Sequence, residues 1–144
     1  MDDKLFKLYT DGACRGNPGH GGVGAVLIDE TGCEVFAVHK YLGMCTNNIA
    51  EYMALICGLE KAVETGCRRL EIFMDSELLV KQINNEYRVK NANLIDLMKK
   101  VRKLLAAFEA YRVCHIRREH NKTADLLANK AIDEAMKKGS GLHS

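Results

Sequence analysis

Four acidic residues have the types and positions that could hold metal ions. Asp11 follows an apolar run, Glu51 lies in the first turn of a predicted helix, Asp75 joins a predicted strand to a helix, and Asp125 lies in the first turns of the last helix. Four carboxylates packed together would repel one another, and divalent metal ions would neutralise that repulsion. Because oxygen-only ligands favour Mg²⁺ or Mn²⁺ over zinc, the pattern predicts a site for one of those ions.

Each of these acids also has an ordinary structural explanation. Asp11 stands before a glycine, as in many turns, and Glu51 follows Asn48 at the spacing of a capping box. Asp75 could cap a helix, while Asp125 could simply favour a helix dipole. The metal site is the stronger interpretation because one cause then accounts for all four positions.

The scaffold that must position these acids is predicted from hydrophobic periodicity. The 144 residues, 47% hydrophobic and 28% charged, suit one globular domain over 1–138 with a disordered tail at 139–144. The pattern predicts an α/β domain with a mixed sheet, in the order βββαβααβα. Ligands of such sheets bind beyond the carboxyl ends of strands, so Asp11 and Asp75 would lie together if their strands are parallel neighbours. The predicted strands cover 4–10, 22–29, 33–41, 68–74 and 111–118, and the predicted helices cover 48–65, a segment from Ser76, 93–108 and 121–138.

The charge distribution suits a basic surface around an acidic site. The net charge is only +2, but placing four acids in one site would leave the rest of the surface more basic. The basic clusters at 68–69, 99–103 and 116–119 could bind nucleic acid or could simply solvate helix faces.

Composition also limits where the chain is expected to act. No run approaches the roughly 20 apolar residues of a membrane span, and the acidic "MDDK" opening is unlike a secretory signal. The six cysteines form no CxxC pair, which argues against a zinc site or a disulfide framework. We therefore expect a cytoplasmic protein with reduced thiols.

Four stretches in matching order resemble the type 1 ribonuclease H family: "YTDGACRGNPGHGGVGAVL", "TNNIAEYMALICGLEKA", "IFMDSELLVKQIN" and "REHNKTADLLANKA". The resemblance implies the ribonuclease H fold, with a five-stranded mixed sheet and helices on both faces. It also implies endonucleolytic cleavage of the RNA strand of RNA/DNA hybrids by two Mg²⁺ ions, with Mn²⁺ as a substitute and 5′-phosphate products. Asp11 would bridge both ions, with Glu51 and Asp75 on one side and Asp125 on the other.

The same resemblance implies a set of substrate contacts. One group would touch the RNA minor groove, where 2′-hydroxyls distinguish RNA from DNA. A second group would bond nucleotides near the cut, and a third would hold a DNA phosphate. These groups are Gly12, Cys14 and Asn17; Asn47 and Asn48; and Thr46 with Asn91.

His120 precedes the fourth acid by a short loop. Some family members place a mobile histidine there that helps products leave or assists protonation, a task that suits an imidazole. Only four residues separate His120 from Asp125, Glu119 competes for the role, and an exposed loop histidine is the ordinary alternative.

Partners and alternatives follow from the family resemblance. The expected partner is an RNA/DNA hybrid, and the expected protein is a monomer that binds no membrane. Double-stranded RNA is left open as a further substrate, since some short relatives that resemble this chain are thought to accept it. The alternatives are a non-cleaving binding module of the same fold and another nuclease of the superfold, such as a resolvase or transposase core. The basic insertion of well-known bacterial relatives is missing at 84–91, and the chain has no Trp. We therefore expect weak hybrid binding with a shallow salt dependence.

Overall fold

A computed structural model describes residues 4–141, which form a five-stranded mixed sheet with helices on both faces. The predicted order of elements and the α/β fold class are confirmed. A 3-10 turn, Arg118–His120, precedes the last helix. The strands are β1 Leu5–Gly16, β2 Gly19–Ile28, β3 Glu34–Cys45, β4 Arg69–Met74 and β5 Ala110–His115, and the helices are α1 Asn47–Glu64, α2 Glu77–Ile83, α3 Ala92–Leu105 and α4 Lys122–Gly141.

The strand order is β3-β2-β1-β4-β5, with β1 at the centre. β1 pairs antiparallel with β2 and parallel with β4, and β5 continues the parallel half of the sheet. The ladder between β1 and β4 stops at the pair Tyr9 and Phe73, whereas the ladder between β1 and β2 runs on to Gly16 and Gly19. The second half of β1 therefore lacks β4 as a neighbour, which leaves room for side chains beside Asp11.

The two faces of the sheet bury different helices. Leu8 and Leu27 belong to the large core beneath α1 and α3. On the opposite face, α4 packs so closely that a side chain at Gly24 would collide with the backbone of Ala124. The absence of a side chain at Gly24 thus allows the first turn of α4, which carries Asp125, to approach the centre of the sheet.

Several predicted boundaries differ from the structure. β2 begins three residues earlier than predicted, at Gly19, and β3 runs four residues further, to Cys45. Asp11 does not end the first strand, because the backbone pairing with β2 continues through the glycine-rich segment to Gly16. α3 ends at Leu105 rather than Phe108, since the next turn closes with bonds to the residue three positions back, although Phe108 stays buried. β5 ends at His115 because the chain then turns into the 3-10 segment.

The end of the chain extends the last helix beyond its predicted limit. α4 continues through Gly141, so residues 139–141 of the expected tail are helical. Residues 142–144 lie outside the described residues. No helix within 4–141 is long and apolar enough to cross a membrane.

Candidate active site

Three carboxylates converge at the centre of the sheet. One oxygen each from Asp11, Glu51 and Asp75 lies within 4.8 Å of the other two. Asp11 is buried, while Glu51 and Asp75 are half-buried. Since all three donors are oxygens at a distance that one cation can span, the cluster fits Mg²⁺ or Mn²⁺.

The register of the parallel strands explains why Asp11 and Asp75 meet. Tyr9 on β1 pairs with Phe73 on β4, and each acid follows its paired residue by two positions. Because side chains repeat every second residue along an extended chain, both acids leave the backbone on the same side. The expected neighbouring parallel strands are therefore present, although β1 passes through Asp11 instead of ending there.

Glu51 reaches the cluster because β1 and α1 touch at Gly12. A side chain at Gly12 would collide with the backbone of Ala50, so glycine permits this close approach. The Gly12 amide donates a 3.0 Å hydrogen bond to Oε1 of Glu51, which holds the carboxylate beside Asp11. Glu51 is the fifth residue of α1 rather than a first-turn residue, and Thr46 caps the helix in place of Asn48.

The electrostatics show that negative charge at the cluster is poorly compensated by protein groups. Burial raises the pKa of Asp11 to about 10, and the nearby charges of Glu51 and Asp75 act in the same direction. Burial also raises the pKa of Glu51, to about 7, against the hydrogen bonds from Asp11 and Gly12. A bound divalent cation would reverse this tendency by stabilising the ionised carboxylates.

Asp125 lies beside the trio rather than within it. It is the fourth residue of α4, and a hydrogen bond with its side chain contributes to the raised pKa of Asp11. The side-chain amide of Asn129 donates to the backbone oxygen of Asp125 at 3.0 Å and to Oδ1 at 3.3 Å. The structure thus brings all four predicted acids to one place, with three in the tightest group.

Asn121 is a residue of this site that sequence reasoning missed. It is buried, and its Nδ2 donates to the backbone oxygen of Thr10 at 2.9 Å and to Oδ2 of Asp75 at 3.3 Å. Its Oδ1 is buried without a hydrogen-bond partner within the described part of the chain. An asparagine at the start of a helix is usually interpreted as a helix cap. Only the four-residue spacing between Asn121 and Asp125 could have indicated a role in the site.

Arg118 was considered from the sequence only as part of the basic cluster at 116–119 and was not assigned to the site. Its positive charge lies close enough to Glu51 to lower the pKa of that carboxyl, against the larger effect of burial. His120, two residues later, is exposed and shares with Glu119 the wall of a cavity of about 300 Å³. Among residues 4–141, no hydrogen bond joins the His120 ring to the carboxylate trio.

A second cavity gathers most of the predicted substrate residues. A cleft of about 370 Å³ is lined by side chains from the β1–β2 hairpin and from the starts of α1 and α3. The Thr46 side chain caps α1 and the Asn91 side chain caps α3, so two helix N-termini face this cleft. Helix N-termini attract anions, which makes the cleft suitable for a phosphate. The predicted residues that line it are Asn17, Thr46, Asn47, Asn48 and Asn91.

The two remaining predicted contacts lie in sequence between Asp11 and Asn17, on β1. Gly12 donates to Glu51, as described above. The Cys14 sulfur lies 2.7 Å from the backbone oxygen of Gly16 and 3.1 Å from that of Cys45, which share its single S–H donor, and this contact ties the hairpin to the end of β3. The hairpin is further joined to α1, because the Asn47 amide donates to Oδ1 of Asn17 at 3.1 Å.

Comparison with known proteins places this geometry in context. The family model described as reverse transcriptase-like matches residues 9–131. A ribonuclease HI of Halobacterium salinarum is 40% identical over 127 residues, covering 88% of this chain and 64% of that protein. A ribonuclease H of Chlorobaculum parvum is 35% identical, covering 92% of this chain and 98% of that protein. The chain spans only 35% of the bifunctional protein Rv2228c of Mycobacterium tuberculosis, to which it is 39% identical.

Solved structures agree with the fold. The crystal structure of RNase H1 from Halobacterium salinarum matches with a TM-score of 0.88 at 38% identity, covering 90% of this chain and 98% of that one. LC11-RNase H1 in complex with an RNA/DNA hybrid matches with a TM-score of 0.87 at 40% identity, covering 91% of this chain and 99% of that one.

Proposed function

Because the chain belongs to the type 1 ribonuclease H family, we propose that it is an endonuclease that hydrolyses the RNA strand of RNA/DNA hybrids with the help of divalent metal ions. The observation that carries this function is the convergence of Asp11, Glu51 and Asp75 within 4.8 Å, close to Asp125. Relatives that are named ribonuclease H support this function, and so does LC11-RNase H1, whose structure contains an RNA/DNA hybrid.

Two Mg²⁺ ions per site are the proposed cofactor, with Mn²⁺ as a substitute. Asp11, Glu51, Asp75 and Asp125 would hold them, since the four acids supply only oxygen ligands. When bound, the metal supplies charge that polarises the scissile phosphate and favours ionisation of water. The protein fixes the carboxylates in advance through the Gly12 amide on Glu51 and the Asn121 amide on Asp75.

Substrate binding is assigned to the hairpin and the cleft. Thr46 and Asn91 would hold a phosphate of the DNA strand, because the N-termini of α1 and α3 favour an anion between them. Asn47 and Asn48 would bond nucleotides near the cut. Gly12, Cys14 and Asn17 would lie against the RNA minor groove and detect its 2′-hydroxyls, which supports cleavage of hybrids rather than duplex DNA.

His120 is assigned a role in turnover rather than in holding metal. It lies on the 3-10 turn that leads into α4, directly before Asn121 in sequence, and it is exposed to solvent. A side chain at such a position can exchange protons with water and with a departing phosphate. Glu119 shares the same cavity and is the alternative residue for this task.

The wider assignments are that residues 1–138 form a single catalytic domain and that the protein acts as a monomer in the cytoplasm on hybrids and on double-stranded RNA. Free thiols support a reducing compartment, because all six cysteines are unpaired in the structure. Recognition of the 2′-hydroxyl supports double-stranded RNA as a further substrate.

The test is a cleavage assay on end-labelled duplexes of one sequence. RNA/DNA hybrid, double-stranded RNA and duplex DNA are incubated with the protein in Mg²⁺ or in EDTA, with Asp75→Asn as the matched inactive variant. We expect the wild type, and not Asp75→Asn, to cut the RNA strand of the hybrid in Mg²⁺. Double-stranded RNA should also be cut in Mg²⁺ if 2′-hydroxyl recognition is sufficient. Hybrid binding without cutting in either Mg²⁺ or Mn²⁺ would indicate a binding module, and cutting of duplex DNA would indicate another nuclease.

A further inference from the structure

Asn129 contacts Asp125 in a way that helix geometry alone does not require. Its Nδ2 donates to the backbone oxygen of Asp125 at 3.0 Å and to the carboxylate Oδ1 at 3.3 Å. Any asparagine on a helix can bond through its side chain to the residue one turn earlier. Here that bond requires the NH₂ group of Asn129 to face Asp125. An asparagine amide can also turn by half a rotation, which would place its oxygen against the carboxylate.

Arg15 removes that ambiguity. Its Nη2 donates to Oδ1 of Asn129 at 3.2 Å and to the backbone oxygen of Asn129 at 3.4 Å, while Nη1 pairs with Asp133 at 2.7 Å. A guanidinium can only donate hydrogen bonds, so the amide atom that faces it must be the oxygen. The NH₂ group of Asn129 is therefore directed at Asp125.

Arg15 is part of the β1–β2 hairpin and not of α4. It directly follows Cys14 and is two residues before Asn17, both assigned to the RNA minor groove. The bond from Arg15 to Asn129 thus spans 114 positions in sequence and joins the substrate-reading hairpin to the helix that carries the fourth acid.

From this geometry we infer that Arg15 and Asn129 are positioning residues, which fix the Asp125 carboxylate for metal binding and couple its orientation to the β1–β2 hairpin. Neither Arg15 nor Asn129 contacts substrate or metal in the proposed mechanism. Arg15 acts only through Asn129, so loss of Arg15 releases the amide, and loss of Asn129 releases the carboxylate. This inference rests on the proposed function for its kinetic consequences, but its structural part can be measured without any activity.

The structural part is tested by ¹⁵N NMR relaxation of the Asn129 side-chain amide in the metal-free protein. Arg15→Ala should increase the motion of this NH₂ group, whereas Asp133→Ala, which removes only the outer ion pair, should leave it close to wild type. Arg15→Lys keeps a donor-only cation and should restore much of the order. An equally rigid amide in Arg15→Ala would overturn the inference, whether or not the protein cuts hybrids.

The kinetic part is tested by measuring kcat, KM and the Mg²⁺ concentration for half-maximal rate on a hybrid. Groups that orient metal ligands typically contribute about 10-fold or more to metal affinity or rate. We expect Asn129→Ala to lower kcat and raise the Mg²⁺ requirement by about 10-fold, with KM for the hybrid little changed. Arg15→Ala should act in the same direction, and Asp133→Ala should behave like wild type.

The double variant Arg15→Ala/Asn129→Ala separates positioning from independent roles. If Arg15 acts through Asn129, the double variant is no slower than Asn129→Ala alone; rates that multiply would contradict the coupling. An inactive wild type with a rigid, Arg15-dependent amide would refute the proposed function and leave the positioning intact. An active wild type whose Asn129→Ala variant keeps kcat and Mg²⁺ requirement would refute the positioning alone.

Discussion

Replacing Asp11 with asparagine should stabilise the metal-free protein while abolishing its activity. The wild-type carboxyl has a pKa raised to about 10 by burial and by the charges of Glu51 and Asp75. Because its pKa in the unfolded chain is the lower one, the folded state binds the extra proton, and wild-type stability falls as pH rises above about 4. The asparagine side chain of the variant never ionises, so that loss of stability is absent from Asp11→Asn.

The magnitude follows from the difference between the two pKa values. Each pH unit between the unfolded value, 3.8, and the folded value lowers the free energy of unfolding by about 1.4 kcal/mol. At pH 7 the penalty approaches about 4 kcal/mol, which is an upper bound because Glu51 and Asp75 share the repulsion. We expect Asp11→Asn to be about 2 to 4 kcal/mol more stable than wild type at pH 7 in EDTA.

The assay is urea unfolding of both proteins in EDTA at pH 4, 5.5, 7 and 8.5. The stability difference should be small at pH 4 and should grow with pH, while saturating Mg²⁺ should stabilise wild type far more than the variant. The matched control is Asp133→Asn, which makes the same substitution at an exposed carboxylate outside the cluster. A difference that is independent of pH, or a variant less stable at pH 7, would refute the account of an uncompensated charge.

Three further outcomes are expected. Asp75→Asn should lower the cleavage rate at least about 100-fold with hybrid binding nearly unchanged, as gel assays would show, because it removes a metal ligand but keeps the shape. Gly12→Ala should force β1 from the Ala50 backbone, lowering the free energy of unfolding by about 1 to 3 kcal/mol in urea and weakening Mg²⁺ binding. A plot of log affinity for the hybrid against log salt concentration should fall with a slope of only about 3, because the described phosphate cleft lacks lysine and arginine. A slope of about 8 would implicate the basic residues of α3 instead.

Much of the site could be predicted from sequence because its acids lie in distinct motifs. Asp11, Glu51, Asp75 and Asp125 each follow a recognisable pattern, and the structure gathers them. The family resemblance predicted the residues that line the cleft, but it did not predict that Asn17 and Asn91 line the same cavity. Nothing local to either residue indicates that hairpin and helix meet. Residue types suggest capping at those positions, and the structure gives Asn91 that role too.

What could not be predicted depends on tertiary contacts. The glycine-rich stretch after Asp11 resembles a loop, yet it forms a strand because β2 supplies hydrogen-bond partners and α1 and α4 need the space that side chains would fill. Asn121 and Asn129 have ordinary helical neighbours in sequence. Their importance comes from Asp75 and Arg15, which are far away along the chain.

The most direct test of the central claim is the identity of the cut strand and of its new ends. A hybrid labelled separately on each strand is incubated with wild type in Mg²⁺, and the RNA fragments are then treated with a 5′-phosphate-dependent exonuclease. We predict that the DNA strand stays intact and that the exonuclease degrades the RNA fragments whose 5′ ends were created by the cut. No cutting is expected in EDTA or by Asp11→Asn. Cleavage that persists in EDTA, or that survives the loss of Asp11, would contradict a metal-dependent site built on these carboxylates.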